Sequence, residues 1–285
     1  MAIRRPNMAT ITDATKVFNI GTYGANRNNE ATDQFFAGFP IDMQFNRNIA
    51  GNADTKIVAR LTGINQLDTN NTGAQVTDET DNTWDSNTHY GKAAGTNTNA
   101  VAWMWKRAKS YFDVVAYTGT GSARTIAHGL GAVPEMMWIK SRSNAVTWRV
   151  YHSGIAETHE LRLDDSNAKT DDDTIFNDTA PTSSVFTVGA DNSINNNNYT
   201  YTAYLFATLA GVSKVGSATH SGSSTDVDCG FAAGARFVLL KRTDAAGDWF
   251  VWDSVRGIIA GNDPYLRLNS DAVDVTNTDL IDPLA

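Results

Sequence analysis

At 285 residues the chain has room for one large domain or two to three small ones, each able to bury a core without disulfide help. Its 23 Lys and Arg against 31 Asp and Glu give a formal net charge of −8. With no basic stripe, that balance excludes a nucleic-acid backbone as partner.

The N-terminal stretch "MAIRRPNMATITDATK" carries two arginines but no apolar core after them, so it reads as neither a signal peptide nor a twin-arginine leader. Residues 1–16 are expected to form an arm or anchor. From residue 17 the chain alternates short apolar segments with clusters of Gly, Asn, Asp, Ser and Thr, a pattern of strands and turns rather than helices. "VFNIGTY", "MQFNRN" and "AVAWMW" are the strand candidates of residues 17–108. The polar loop "ETDNTWDSNT" then offers Trp84 as a possible surface contact. In residues 109–210, "MMWIK" and "WRVYH" form a hairpin, while "SSVFTVG" and "YTYTAYLF" alternate aromatic and β-branched residues at period two. The longest apolar run, "AYLFATLAGV" at 203–212, is about half of the roughly 20 residues that a helical membrane span needs, and no membrane insertion is expected. Cys229, the single cysteine, excludes a disulfide framework and a Cys-based metal site; it lies in a strand-like run and is expected to be a buried, inert thiol.

The chain repeats itself. "WIKSRSNAVTWRVYHS" at 138 returns as "LLKRTDAAGDWFVWDS" at 239, an offset of 239 − 138 = 101, and over 111–153 against 212–254 that offset gives 11 identities in 43 ungapped pairs. Lys140 falls on Lys241, Trp148 on Trp249 and Val150 on Val251. The match resumes after a small insertion, with "LRLDDSNA" at 161 answering "LRLNSDA" at 266. A fainter first copy sets "VFNIGTY" beside "YFDVVAY" and "AVAWMW" beside "YTAYLF". A period near 100 residues is too long for a solenoid unit and suits a row of small domains. The expected fold is all-β: tandem antiparallel β-sandwich repeats at 17–108 (divergent), 109–210 and 211–285. The third repeat is incomplete, because it stops where the second goes on to "SSVFTVG" and the Tyr/Thr strand. A sheet lacking those strands exposes an edge and half a core, so the chain is expected to be part of a longer protein or to receive strands from another chain.

Chemistry is sparse. "TGTGSARTIAHGLG" is glycine-rich but lies between strands, and its copy "THSGSSTDVDCGFA" loses the spacing that a phosphate loop requires. His89, His128, His152, His159 and His220 lack metal-helix spacing, and His152 falls on Asp253 in the repeat. "LRLDDSNAKTDDD" offers Asp164, Asp165, Asp171, Asp172 and Asp173. Such a loop can hold calcium through oxygen ligands, although no twelve-residue calcium loop is present, and a solvated turn is the expected state. Lys140 and Lys241, inside apolar strands, are expected at solvent-facing edges, where lysine discourages aggregation. Recurrence of Trp148 at Trp249 marks a structural position, as do the apolar counterparts of Trp105 and Trp138, Phe206 and Leu239. No catalytic residue, cofactor or metal is expected.

The segments "GLGAVPEMMWIKSRSNAVTWRVYHS", "TAPTSSVFTVG", "NNYTYTAYLFA" and "GARFVLLKRTDAAGDWFVWDSVRG" resemble a repeated β domain of uncharacterised function found in virion proteins of marine bacteriophages. The resemblance implies a non-enzymatic structural protein of the virion, a tail fibre or appendage for host attachment, assembled in the host cytoplasm and released by lysis. Implied partners are further copies of the chain, with a trimer usual for fibres, other tail or capsid proteins, and a host surface glycan or receptor. No heptad supports a coiled-coil trimer. A capsid decoration protein or head fibre, and a bacterial carbohydrate-binding adhesive module, are the alternatives.

Overall fold

The computed structural model describes residues 11–22, 35–79, 84, 86–91, 99–222 and 224–283, which leaves most of the N-terminal arm outside. Strands dominate. In chain order the first stretch contains β1 (Phe18–Thr22), β2 (Phe35–Phe36), β3 (Met43–Asn48), β4 (Lys56–Ala59), β5 (Asn65–Asp68), β6 (Val76–Thr77), β7 (His89–Tyr90) and β8 (Ala100–Trp105). The second contains β9 (Phe112–Thr118), β10 (Arg124–Ala127), β11 (Met136–Ser141), β12 (Arg149–His152), β13 (His159–Arg162) and β14 (Thr170–Asp171). A one-turn helix α1 (Asp173–Phe176), β15 (Val185–Val188), a second short helix α2 (Asn192–Asn195) and β16 (Thr200–Phe206) complete it. The last stretch has β17 (Phe237–Lys241), β18 (Trp249–Asp253) and β19 (Leu266–Arg267).

The two larger sheets have the same connectivity. One runs β1-β8-β3-β4-β5-β6 and the other β9-β16-β11-β12-β13-β14, all antiparallel, and each is accompanied by a two-stranded ribbon, β2-β7 or β10-β15. Registers agree as well: Met43 faces Trp105 as Met136 faces Phe206. The fold is all-β, with antiparallel sheets layered as the alternating pattern predicted. β15 ends on Gly189, where any Cβ would fall about 2.0 Å from the Thr174 carbonyl oxygen, so this sharp approach of β15 to α1 requires glycine.

Because side chains alternate along a strand, each large sheet has two faces to cover, and the second sheet shows how. Its outward residues Met137, Ile139, Tyr151, Tyr201, Ala203 and Leu205 pack under Ile126 of the ribbon, Phe186 and Val188 of β15, and Ile175 and Phe176 of α1. The first sheet packs Ala100, Ala102 and Met104 against Phe35 and Tyr90 of its own ribbon. All six residues of β8 are buried, as a strand covered on both faces should be. The inward faces of all three sheets meet in one cluster. Phe45, Trp103 and Trp105 come from the first sheet, Trp138, Trp148, Tyr204 and Phe206 from the second, and Trp249, Val251 and Leu266 from the third.

The sheets are also joined in a ring by equivalent hydrogen bonds. Arg47, Lys140 and Lys241 occupy the same position of β3, β11 and β17, fixed by the registers above and by Trp138↔Val150 matching Leu239↔Val251. The Lys140 ammonium donates to the carbonyl of Thr72 beyond β5 (3.0 Å), and Lys241 donates to Ser166 beyond β13 (3.0 Å). Arg47 donates to Arg267 (2.9 Å) and Ser270 (2.6 Å) at and beyond β19, and also to Ala272. So the second sheet reaches the first, the third reaches the second and the first reaches the third. Backbone follows the same circuit: Gln75 N–H bonds the Arg142 carbonyl as Lys169 N–H bonds that of Thr243, and Ala53 N–H bonds Asp271 as Gly247 N–H bonds Ser166. Trp148 and Trp249 each donate their indole N–H across their own, equivalent seams, to the Asp68 and Arg162 carbonyls at 2.9 and 2.7 Å. Thr55 stands at that position in the first sheet, and the longer Arg47 takes over the Arg267 carbonyl.

Two expectations are corrected. Lys140 is not a solvent-facing edge residue: β11 lies between β12 and β16, and the side chain is 0% exposed. Its apolar stem fills the core while the ammonium meets carbonyls at the seam, which answers how a charge survives there. Lys241 does lie on the outermost strand of its sheet, although its ammonium is held by the Ser166 and Gly247 carbonyls. Cys229 lies in a segment with no strand and is only half-buried, because among the described residues that segment pairs with no strand.

Candidate functional site

Trp84 is anchored rather than free. Its indole N–H donates to the Gly63 carbonyl at 2.7 Å, Arg60 lies over the ring at 5.1 Å, and Tyr90 meets it edge-on at 4.6 Å. Arg60 also holds the Ile41, Trp84 and Ser86 carbonyls, so the indole is fixed to the loop that carries it and stays partly open to solvent.

The acidic loop residues act as turn and cap formers. Asp164 accepts from Thr147 Oγ1 (2.6 Å) and the Trp148 N–H, Asp165 holds Asn167, and Asp172 caps α1 through the Thr174 N–H at 3.0 Å. Among the described residues no group of three His, Cys, Asp or Glu side chains comes together in a way that would hold a metal ion. The histidines are dispersed. His152 Nδ1 accepts from the Gly154 N–H, His159 pairs with Thr158, and His220 pairs with Thr225.

One shallow cleft of about 310 Å³ lies beside β9, lined by Leu61, Arg107, Asp113, Val115 and His128. The sequence reading did not single out Asp113 or Arg107. The buried Asp113 carboxylate accepts from Arg107 at 2.6 Å, from the Gly129 N–H at 2.7 Å and from the Val114 N–H at 2.8 Å. Its oxygens are therefore occupied. His128 stacks on Phe186 and contacts the Thr182 carbonyl, and burial holds its ring below the usual histidine range. This cluster ties β9 to the loop after β10 and leaves no free nucleophile beside a free base.

The least satisfied surface is the third sheet. Among the described residues β17 pairs with β18 and with no strand on its other side, where β3 has β8 and β11 has β16. Its outward face lacks a cover. Leu240 is 48% exposed whereas Ile139, its counterpart in β11, is 0% exposed. Val227 is 52% exposed whereas Ile126, its counterpart in β10, is 6% exposed. Residues 213–219, which correspond to β9, and 225–228, which correspond to β10, form no strand. In the second sheet β9 pairs with β16 and β10 with β15. Every described third-sheet segment whose partner would be β15-like or β16-like is therefore unpaired, and those with partners in the chain are paired. The repeat read from the sequence locates this edge; the equivalence of Arg47 with Lys140 emerges only from the matching registers of β3 and β11, an Arg-for-Lys exchange that hides it from the sequence.

The chain belongs to a family described as a domain of unknown function, DUF7483, which matches residues 13–284. That single match spans all three sheets. No curated protein and no solved structure shows significant similarity to it.

Proposed function

We propose that this protein is a non-enzymatic structural component of a bacteriophage virion, a tail fibre or appendage that takes part in host attachment and is built from three copies of one β unit. The observation that carries the reading is the use of the chemically capable side chains. The buried cations Arg47 and Lys140 and the half-buried Lys241 end on backbone carbonyls of the next sheet, and Asp113, Asp164 and Asp172 are engaged by donors of the fold. What faces outward is loop rich in Asn, Thr and Asp, suited to many weak polar contacts, and the clefts beside β9 and α2 are shallow and open rather than enclosed. The resemblance of 101–285 to repeated domains of phage virion proteins points the same way, with further copies of the chain, tail or capsid proteins and a host glycan or receptor as partners. Trp84, half-covered in its loop, is the aromatic group offered to such a surface.

Immunogold labelling of purified phage particles with an antibody against residues 111–208 tests this. Gold on tail appendages is expected. Gold over the head would assign a capsid decoration or head fibre role, and unlabelled particles would favour a bacterial carbohydrate-binding adhesive module.

A further inference from the structure

We infer that one copy of this chain fills all three places of a threefold assembly, so that no trimer forms around its axis and a feature on its sides is presented once rather than three times. The inference rests on the seams between the sheets and stands apart from the phage reading. Each seam joins the same two surfaces. One is the side of a sheet from which Arg47, Lys140 or Lys241 projects, and the other is the run of carbonyls at or beyond β5, β13 or β19 that receives it. Equivalent head-to-tail contacts either continue as a filament or close into a ring. Here they close, because Arg47 of the first sheet reaches the last one. Among the described residues, all three donor sides and all three acceptor sides are then used within one chain, and a second copy finds neither.

The closing seam carries further bonds. Thr69 Oγ1 donates to the Leu268 carbonyl at 2.6 Å, and the Val273 N–H to Asn52 Oδ1 at 3.3 Å. At the opposite end of the sheets Arg236, just before β17, donates to the Phe18 carbonyl at 3.2 Å and to Asn19 Oδ1 at 2.8 Å, and it lies 5.6 Å over the Phe18 ring. Opening the ring to admit another copy would break these bonds and uncover tryptophans of the central cluster. A trimer with shared seams would regain the same contacts and lose the freedom of two more chains, so the closed single chain is favoured. The sides of the ring are also unlike. The first sheet carries the β2–β7 ribbon, the second the β10–β15 ribbon with α1, and the third leaves Leu240 48% exposed. A partner that recognises one side, through Trp84 for example, therefore binds one to one and gains no avidity from symmetry.

The test is the mass of the full chain by sedimentation equilibrium over a dilution series, beside that of Leu240→Lys, which changes an exposed side chain on the outer face of the third sheet and touches no seam. One chain per particle is expected for both. Self-association that Leu240→Lys abolishes would place the contact on that outer face, leave each ring closed within its own chain and support the inference. A two-chain or three-chain mass that persists in both proteins on dilution would overturn it. Either result leaves the labelling of phage particles to decide the virion reading.

Discussion

Arg47 and Lys140 extend an apolar stem through the core and, like the half-buried Lys241, end on a carbonyl of another sheet, and the burial has a titration consequence at Lys140. Removal from water penalises its charged form and brings its pKa down to about 8 from an ordinary value of 10.5, with Asp164 opposing the change. Below pH 8 both folded and unfolded chains carry the proton, and the penalty is present in full. Between pH 8 and 10.5 the unfolded chain binds more protons than the folded one, so stability rises with pH across that window. At about 1.4 kcal/mol per pH unit the rise amounts to roughly 3–4 kcal/mol over the whole window. Lys140→Met keeps the volume and removes the titration. Urea midpoints at pH 7.5, 9 and 10 should show the native chain gaining on the variant with pH; parallel profiles would mean that the ammonium does not titrate there. The sequence placed Lys140 within a repeated strand, but an edge and an interior strand have the same local pattern, and the carbonyl that receives its ammonium lies 68 residues away.

Among the elements, the hairpins were the most legible. "MMWIK" and "WRVYH" became β11 and β12, "SSVFTVG" and "YTYTAYLF" became β15 and β16, and "AVAWMW" became β8, because period-two alternation and turn residues act within a few positions. What joins one element to the next was less legible. Trp148 and Trp249 were recognised as structural by their recurrence, and the structure adds that each indole N–H spans a seam between sheets. Trp148→Phe and Trp249→Phe should each cost about 1–3 kcal/mol by leaving a carbonyl without its donor. The two losses should add closely, since the seams are different ones; denaturant titration of both variants and the double checks this. The Glu160 cluster joins β12, β13 and α2. Its carboxylate lies 2.5 Å from Arg149 and 3.1 Å from Arg162, and Arg149 also donates to Ser193 at 2.7 Å. Glu160→Ala leaves the buried Arg149 guanidinium with only the more distant Asp191 carboxylate at 3.7 Å and should cost about 2–4 kcal/mol. A loss under 1 kcal/mol by the same titration would mean that the guanidinium finds water.

At the scale of the whole molecule, the repeat period predicted a row of units but carried no information about whether their cores are separate. The one local hint was β8, whose unbroken burial matches a strand covered on both faces; one face serves the first sheet's own ribbon and the other the central cluster. That cluster takes residues from Val17 to Leu268, and the ring of cation–carbonyl bonds closes around it. Removing any sheet would uncover tryptophans of the other two: the Trp103 indole, for example, bonds Asp253 of β18 at 3.1 Å. Such a body should unfold in one step, so scanning calorimetry of the full chain should give a single transition whose calorimetric and van't Hoff enthalpies agree. Two or more resolved transitions would show that the sheets hold separate cores. Residues 109–210 expressed alone should lack a cooperative transition, because the inward face carrying Trp138, Trp148 and Tyr204 would be exposed. The third sheet, open along β17, is the place where exchange should be fastest within the cooperative body, since its edge amides lack a partner strand. Fast exchange at 237–241 beside slow exchange at 136–141 would locate the weakest edge of the ring at β17.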